Sequence, residues 1–466
     1  MIEAFQRLWF ECRPAFFQQR CWEKAGQLAL SNLINFGRHT IAGALTSAGR
    51  QDADWSAAYR LFERQRFDVD ELFNVPLRAV MDALPQGTPF VASLDDTILR
   101  KTGKKVHGTS WKRDPLGPKF TTNFVWAQRW LQISAALPEP DGRCRAIPVD
   151  FHHCPSAAKP GKKANADELQ EYRKQQKAMS ITVQAAARIS QLRNRIPAGR
   201  KLIISGDGGY TNRTICRSLP PDTTFLGRIR KDAKLFLLPD DIDGRGRKRI
   251  YGKQLPTPEA MRLDDAVPWQ EVKAVTGDKE HTFKIKIIPL IRSQLAGAND
   301  LKLIIVQPLR YRLNSKSKLM YRDPAYIIST DHNLDAAKIL QWYLWRWEIE
   351  LNFRDEKNIL GLDDAMIRTP QAVETWTPFA ACSYALLLLA GCAAGKENSK
   401  IIKPKWQKSA TLSRPSTNHY LSIMRQEISG LSWNVNFDGF KEYKEQALKP
   451  FLFIPDIKSA VFTARR

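Results

Sequence analysis

The stretch Tyr343-Leu344-Trp345-Arg346-Trp347-Glu348-Ile349-Glu350-Leu351-Asn352-Phe353-Arg354-Asp355-Glu356-Lys357 constrains this chain more than any other. No Gly or Pro interrupts it, and strong helix formers alternate with large aromatics, so it reads as one helix. At about 100° per residue with Tyr343 at zero, Arg346 falls at roughly 300°, Glu350 at roughly 340° and Lys357 at roughly 320°. These residues share one polar stripe. Trp342, Trp345, Ile349, Phe353 and Leu360 occupy roughly 200–280° and form an apolar face beside it. Glu348 and Asn352 point away, and Glu356 falls on the apolar side. One carboxylate, Glu350, is therefore held at the edge of a core between Arg and Lys. Trp347 lies off the apolar face, which leaves two uses for it: a surface on which something stacks, or a contact with a neighbouring domain.

The spacing of Tyr343, Arg346, Glu350 and Lys357 resembles the Y-R-E-K signature of the DDE transposases of bacterial insertion sequences. The resemblance implies an RNase H-like core with two further carboxylates, each at the end of a strand. Two stretches offer them. The apolar run Pro89-Phe90-Val91-Ala92-Ser93-Leu94 leads into Asp95-Asp96-Thr97, and Lys201-Leu202-Ile203-Ile204-Ser205-Gly206 leads into Asp207-Gly208-Gly209-Tyr210. Both read as buried central strands that end in acids. Burial on both faces stops alternation from choosing between Asp95 and Asp96. The family's first acid is commonly followed, after one intervening residue, by Thr or Ser, and Thr97 fits that pattern with Asp95 as the ligand.

The bulk properties agree with a nucleic-acid enzyme. Lys+Arg 72 against Asp+Glu 48 gives a net charge of +24, which predicts a polyanionic partner. Hydrophobic content of 43% indicates a globular core. The seven cysteines are scattered, odd in number and without a CxxC pair, as expected in a reducing cytosol. His152-His153-Cys154 has no second ligand cluster in sequence and reads as a strand end and turn rather than a zinc site. The N-terminus lacks the basic start and apolar run of a signal peptide. The apolar run 379–395 is rich in Ala and Gly and reads as a buried core helix rather than a membrane span.

In chain order, residues 1–85 read as an all-helical N-terminal DNA-binding domain, and 86–222 as the first part of the α/β, RNase H-like core. Within that part, a meander of strands (89–94, 123–137 with a bend, and 144–151) precedes one long helix over 167–195. The basic loop with Arg100, Lys101, Lys104 and Lys105 suits phosphate tracking beside the first acids. Residues 223–330 lose helical periodicity and read as a β-rich insertion, with strands at 225–229, 269–275, 282–290, 301–307 and 325–328. Residues 331–395 complete the core with the Glu350 helix, and a basic, partly helical C-terminal region, 396–466, suits dimer or DNA contacts.

Metal-assisted phosphodiester cleavage needs carboxylates from rigid elements, because hard divalent cations take oxygen ligands. Asp95 or Asp96, Asp207 and Glu350 supply them. The resemblance implies Mg2+ with Mn2+ as a substitute, Tyr343, Arg346 and Lys357 on the DNA backbone, and Trp347 near an extruded base. It further implies double-stranded DNA (transposon ends and target) as substrate, a homodimer in the synaptic complex, a bacterial cytoplasmic setting and no small-molecule cofactor. Two other classes stay open: a non-cleaving DNA-binding protein on the same scaffold, and a stand-alone RNase H-like nuclease.

Overall fold

The computed structural model describes residues 1–114, 117–118, 120–239, 248–277, 279–312, 317–397 and 414–434. Six helices open the chain: α1 (Ile2–Glu11), α2 (Gln19–Ile34), α3 (Ile41–Ser47), α4 (Ser56–Glu63), α5 (Val69–Leu72) and α6 (Asn74–Ala83). Then come β1 (Phe90–Arg100), β2 (Ser110–Arg113), β3 (Phe124–Pro138) and β4 (Cys144–His153). The helix expected over 167–195 is two, α7 (Ala166–Ala178) and α8 (Ile181–Arg195). α7 buries no residue and is started by an Asn165–Glu168 capping box, whereas α8 buries Ala185, Ile189 and Leu192. The two parts answer to different surroundings, and the chain turns extended at Ser180 between them.

β5 (Leu202–Gly206), α9 (Arg213–Arg217) and β6 (Thr223–Arg228) follow. The β-rich stretch holds α10 (Pro258–Leu263), β7 (Gln270–Thr276), β8 (Lys279–Ile291), β9 (Leu301–Val306), the short hairpin β10 (Arg310–Tyr311) and β11 (Met320–Tyr321), and β12 (Ala325–Ser329). α11 (Ala336–Trp345), α12 (Glu348–Asn358), α13 (Pro370–Glu397) and α14 (Thr417–Asn434) close the described chain. Most of the basic C-terminal region expected over 396–466 lies outside the described residues.

The fold is mixed α/β around one ten-stranded sheet of order β2-β3-β1-β5-β6-β12-β9-β8-β7, with β4 also on β3. β1, β5 and β6 run parallel and every other pair is antiparallel. The bend expected in the third strand is a register shift between Ile133 and Ser134. Strands from 223–330 pair edge to edge with the first part of the core and extend its sheet.

Alternation sends the two faces to different partners. Ile203 of β5 joins residues of β1, β3, β4, β6–β9 and β12 around Ala336, Ile339 and Leu340, so the sheet curls about α11. Leu202 and Ile204 face the other cluster, with the N-terminal helices, α8 and α13. α13 is the apolar run of the sequence. It is the one helix among the described residues long and apolar enough to cross a membrane, but it is mostly buried in the fold. Phe62 packs edge-on against Trp376 and Phe379 at 4.9 and 5.2 Å, which binds the opening helices to α13.

Candidate active site

The parallel strands set the cleft. β1 and β5 pair from Phe90↔Leu202 to Leu94↔Gly206, and β5 stops there. Asp95 and Asp207 are the next residues on each strand, so they emerge side by side at the carboxyl end. The expectation that β1 also ends at the acids is only half met. On its other edge β1 stays paired with β3 through Arg100↔Ala127. The acids therefore sit mid-strand, with one edge freed by the end of β5. That geometry also separates the pair that sequence left ambiguous, since successive strand residues face opposite ways.

Asp95 turns toward α12. Its Oδ2 is 3.5 Å from Arg346 Nη1, and Arg346 Nη2 is 3.5 Å from Glu350 Oε1. The Asp95 carboxyl is pushed up to about 7, first by burial and then by the negative charge of Asp207. Glu350 is raised too, by desolvation and by Asp207, with Arg346 opposing. Asp95, Asp207 and Glu350 thus share one electrostatic neighbourhood around a single guanidinium. Asp207 is fixed by its own loop, where Oδ1 accepts from Gly209 N at 2.8 Å and Tyr210 N at 3.2 Å. Asp96 is occupied elsewhere. The Tyr210 hydroxyl donates to its Oδ1 at 2.6 Å, and Arg129 Nε lies 3.2 Å from Oδ2.

The helix that carries Glu350 is not continuous. Between α11 and α12 the bonds become i→i−3: Arg346 N to Tyr343 O, Trp347 N to Leu344 O, Ile349 N to Arg346 O (each 3.2 Å) and Glu350 N to Trp347 O (3.1 Å). This is a 3₁₀-type turn, and each tightened residue advances the helix by roughly 20° more than an α-helical one. α11 rests on β6 and β7, whereas α12 crosses β1 and β4, so the tight turn lies where the segment changes neighbours. Trp345 Nε1 donates to Gly142 O at 3.0 Å and anchors the turn from its other side.

Beyond the turn the wheel still places Ile349, Phe353 and Leu360 correctly, all of them buried, but it misplaces Asn352. Asn352, expected to face away, is buried; it donates to Ala146 O at 3.1 Å and accepts from Ser134 Oγ at 3.2 Å. Covering of α12 from two sides by the sheet and by α13 and α14 is the reason. Glu348 is likewise engaged, by Arg414 Nη2 at 2.6 Å. Glu356 is buried as expected. Burial pushes its carboxyl up to about 8, and the Gln132 amide, oriented to satisfy both neighbours, donates to its oxygens at 3.0 and 3.1 Å.

The other predicted residues divide. Tyr343 is largely buried, with the Arg346 guanidinium 5.8 Å from its ring centroid. Trp347 is 57% exposed. Lys357 is half-buried; desolvation lowers its ammonium, with Glu356, Asp363 and Asp96 among its charged neighbours. Lys104 and Lys105 are exposed, and Arg100 pairs with Asp114 at 2.8 Å. Lys101 corrects the loop reading. It is buried, with Nζ donating to Asp363 O and Ala365 O at 2.9 Å each, so it tethers the loop and does not face solvent. Tyr210 and Arg129, which hold Asp96, were missed as site residues. Arg129 carried a signal, as the single charged residue of β3.

The donor set fits a hard divalent cation. The cleft holds carboxylate oxygens from β1, from the end of β5 and from a helix, and burial, reinforced by their mutual repulsion, leaves two of them with raised proton affinity. A family model described as DDE superfamily endonuclease matches residues 14–286, more than half of the chain. The match contains Asp95 and Asp207, and Glu350 lies beyond it. No curated protein matches the chain.

Proposed function

The chain belongs to the DDE superfamily of endonucleases, and on that premise we propose that it is a DNA transposase of the bacterial insertion-sequence type. It binds terminal inverted repeats, cleaves at the element's ends and joins them to target DNA, by a cut-and-paste route, as a homodimer on paired ends. The observation that carries this reading is the convergence of Asp95, Asp207 and Glu350 around Arg346. In this reading residues 86–222 and 331–395 are an RNase H-like core, the opening helices read the DNA ends, and residues 223–330 are the family's insertion.

Asp95, Asp207 and Glu350 would hold Mg2+, with Mn2+ as a substitute. Bound there, such a cation would supply Lewis-acid activation of the attacking oxygen and stabilisation of the leaving one. The chain's own groups do the rest. Asp95 is favoured over Asp96 because Tyr210 and Arg129 already satisfy Asp96. Arg346, preset at 3.5 Å from two of the acids, supplies a fixed positive charge where a scissile phosphate would lie. Lys104 and Lys105 follow the backbone outside the cleft, and the exposed Trp347 offers a face for a displaced base.

The test is Mg2+-dependent nicking and strand transfer on DNA that carries the inverted repeats flanking the gene. Glu350→Gln should abolish both reactions and keep DNA binding. Cleavage near the wild-type rate in that variant refutes the assignment of Glu350. Cleavage by the wild type without any strand-transfer product makes the protein a nuclease instead.

A further inference from the structure

Away from the acidic cleft, three side chains of metal-ligand type meet where the β1–β2 loop crosses the end of β4. His107 comes from the loop, His153 is the last residue of β4, and Glu374 stands in the second turn of α13. One ligand atom from each lies within 4.8 Å of the other two. His153 Nδ1 is 2.6 Å from Glu374 Oε1, and His107 Nε2 is 3.9 Å from the same oxygen.

The group is built into the fold. The His153 side chain is fully buried and its ring stacks on Trp130 at 4.5 Å and 21°, which fixes the ring plane. The loop passes directly over that ring at Gly108, φ +72°, where a Cβ would fall 2.1 Å from His153 Cε1. Only glycine allows both that φ and that approach. The backbone of His107 is held at both ends: its N–H donates to Arg368 O at 3.2 Å, and its carbonyl accepts from Gln128 Nε2 at 2.6 Å. The side chains of His107 and Glu374 are each about a third exposed, so the cluster has one open side.

We propose that His107, His153 and Glu374 form a binding site for a Zn2+-type transition-metal ion, with water at the open position, which clamps the basic β1–β2 loop to the core. Two imidazoles and one carboxylate with a free fourth position are a usual zinc donor set. They are a poor set for Mg2+, which demands oxygen ligands, so the site is chemically distinct from the acidic cleft. With metal–ligand distances of about 2.0–2.1 Å, ligand atoms in a tetrahedral site stand roughly 3.3 Å apart. The observed 2.6 and 3.9 Å straddle that value. The rearrangement falls on the two half-exposed side chains and leaves His153 in place. The loop so clamped carries Lys104 and Lys105, and the proposal does not depend on which reaction the acidic cleft performs.

The experiment uses the full-length protein stripped of metal with a chelator, Co2+ as the spectroscopic probe and Zn2+ as competitor. The wild type should bind Co2+ with the strong visible absorption of a four-coordinate ion and no thiolate band, and Zn2+ should displace it. Glu350→Gln should leave that spectrum unchanged, whereas His107→Ala and, independently, Glu374→Gln should weaken binding about tenfold or more. Zn2+ should also slow tryptic cleavage after Lys104 and Lys105 in the wild type and not in His107→Ala. Absence of the four-coordinate spectrum in the wild type overturns the proposal and leaves a hydrogen-bonded His–Glu pair. So does a spectrum that survives both ligand substitutions.

Discussion

Proton competition at Asp95 gives the most direct test of the acidic cleft. Burial, then Asp207, pushes the native carboxyl up from an ordinary value of 3.8 to about 7. A divalent cation needs the carboxylate, so its binding must expel the proton that native Asp95 still holds. For one competing proton, the apparent dissociation constant scales as 1 + 10^(pKa − pH), which is about elevenfold at pH 6, twofold at pH 7 and near one at pH 8. Mg2+ binding should therefore weaken roughly tenfold, or about 1.4 kcal/mol, from pH 8 to pH 6, and proton release should grow from about 0.1 to about 0.9 per site. Calorimetry in buffers of different ionisation enthalpy measures both. Folding has the opposite sign. The unfolded chain loses this proton near 3.8 and the native protein keeps it to about 7, so the group lowers stability as pH rises across that window and adds nothing further above it. Asp95→Asn should remove the proton release, whereas Asp96→Asn should keep it. Release that stays flat between pH 6 and 8, or that vanishes with Asp96→Asn alone, refutes the placement of Asp95 in the metal site.

Three further outcomes follow from single side chains. Trp347→Ala should change Tm little, because the ring is exposed, but should cost about 1–3 kcal/mol of affinity for DNA ends with an unpaired base, read by fluorescence anisotropy. Glu356→Gln should stabilise the protein increasingly as pH rises from 4.5 to 8, by up to about 4 kcal/mol, since a buried carboxyl raised from 4.5 to about 8 penalises its own ionisation; denaturation at pH 5 and pH 8.5 should show most of the gain at the higher pH. Lys101→Met should lower Tm through loss of its two carbonyl bonds, while Lys104→Ala with Lys105→Ala should keep Tm and flatten the salt dependence of DNA binding by roughly 0.9 per lost phosphate contact.

What sequence could convey here depended on whether a residue's role was local. The strands over 202–206, 270–276, 301–306 and 325–329 were legible because β-branched runs bounded by turns report their own state. Asp95, Asp207 and Glu350 stood out as candidates because a fixed spacing and two apolar runs leading into acids are also local. The choice between Asp95 and Asp96 was not, because it turns on where β5 ends and on what Tyr210 and Arg129 do across the sheet. His153 shows the same limit. Beside Cys154 it has no ligand partner in sequence, and its neighbours His107 and Glu374 arrive from a distant loop and helix.

The segment that most constrained the fold was also the one where local reading misled most, and the reason is mechanical. A 15-residue apolar-and-charged pattern specifies helix well, yet it cannot report that the helix crosses from one region of a curled sheet to another. The tightened turn at Arg346–Trp347 makes that crossing possible. It keeps Arg346 on the Asp95 side, sends Trp347 outward, and turns Asn352 and Glu356 into a buried polar contact with β3. Arg346 and Glu350 form an i,i+4 pair that a regular helix also allows, whereas the Arg346 contact to Asp95 on β1 and the Asn352 bond to Ala146 on β4 lie on opposite sides of the tightened turn. The position of Glu350 is therefore fixed less by its place on a helical wheel than by the buried polar groups that follow it, which fasten α12 to the strand beside the one that carries Asp95.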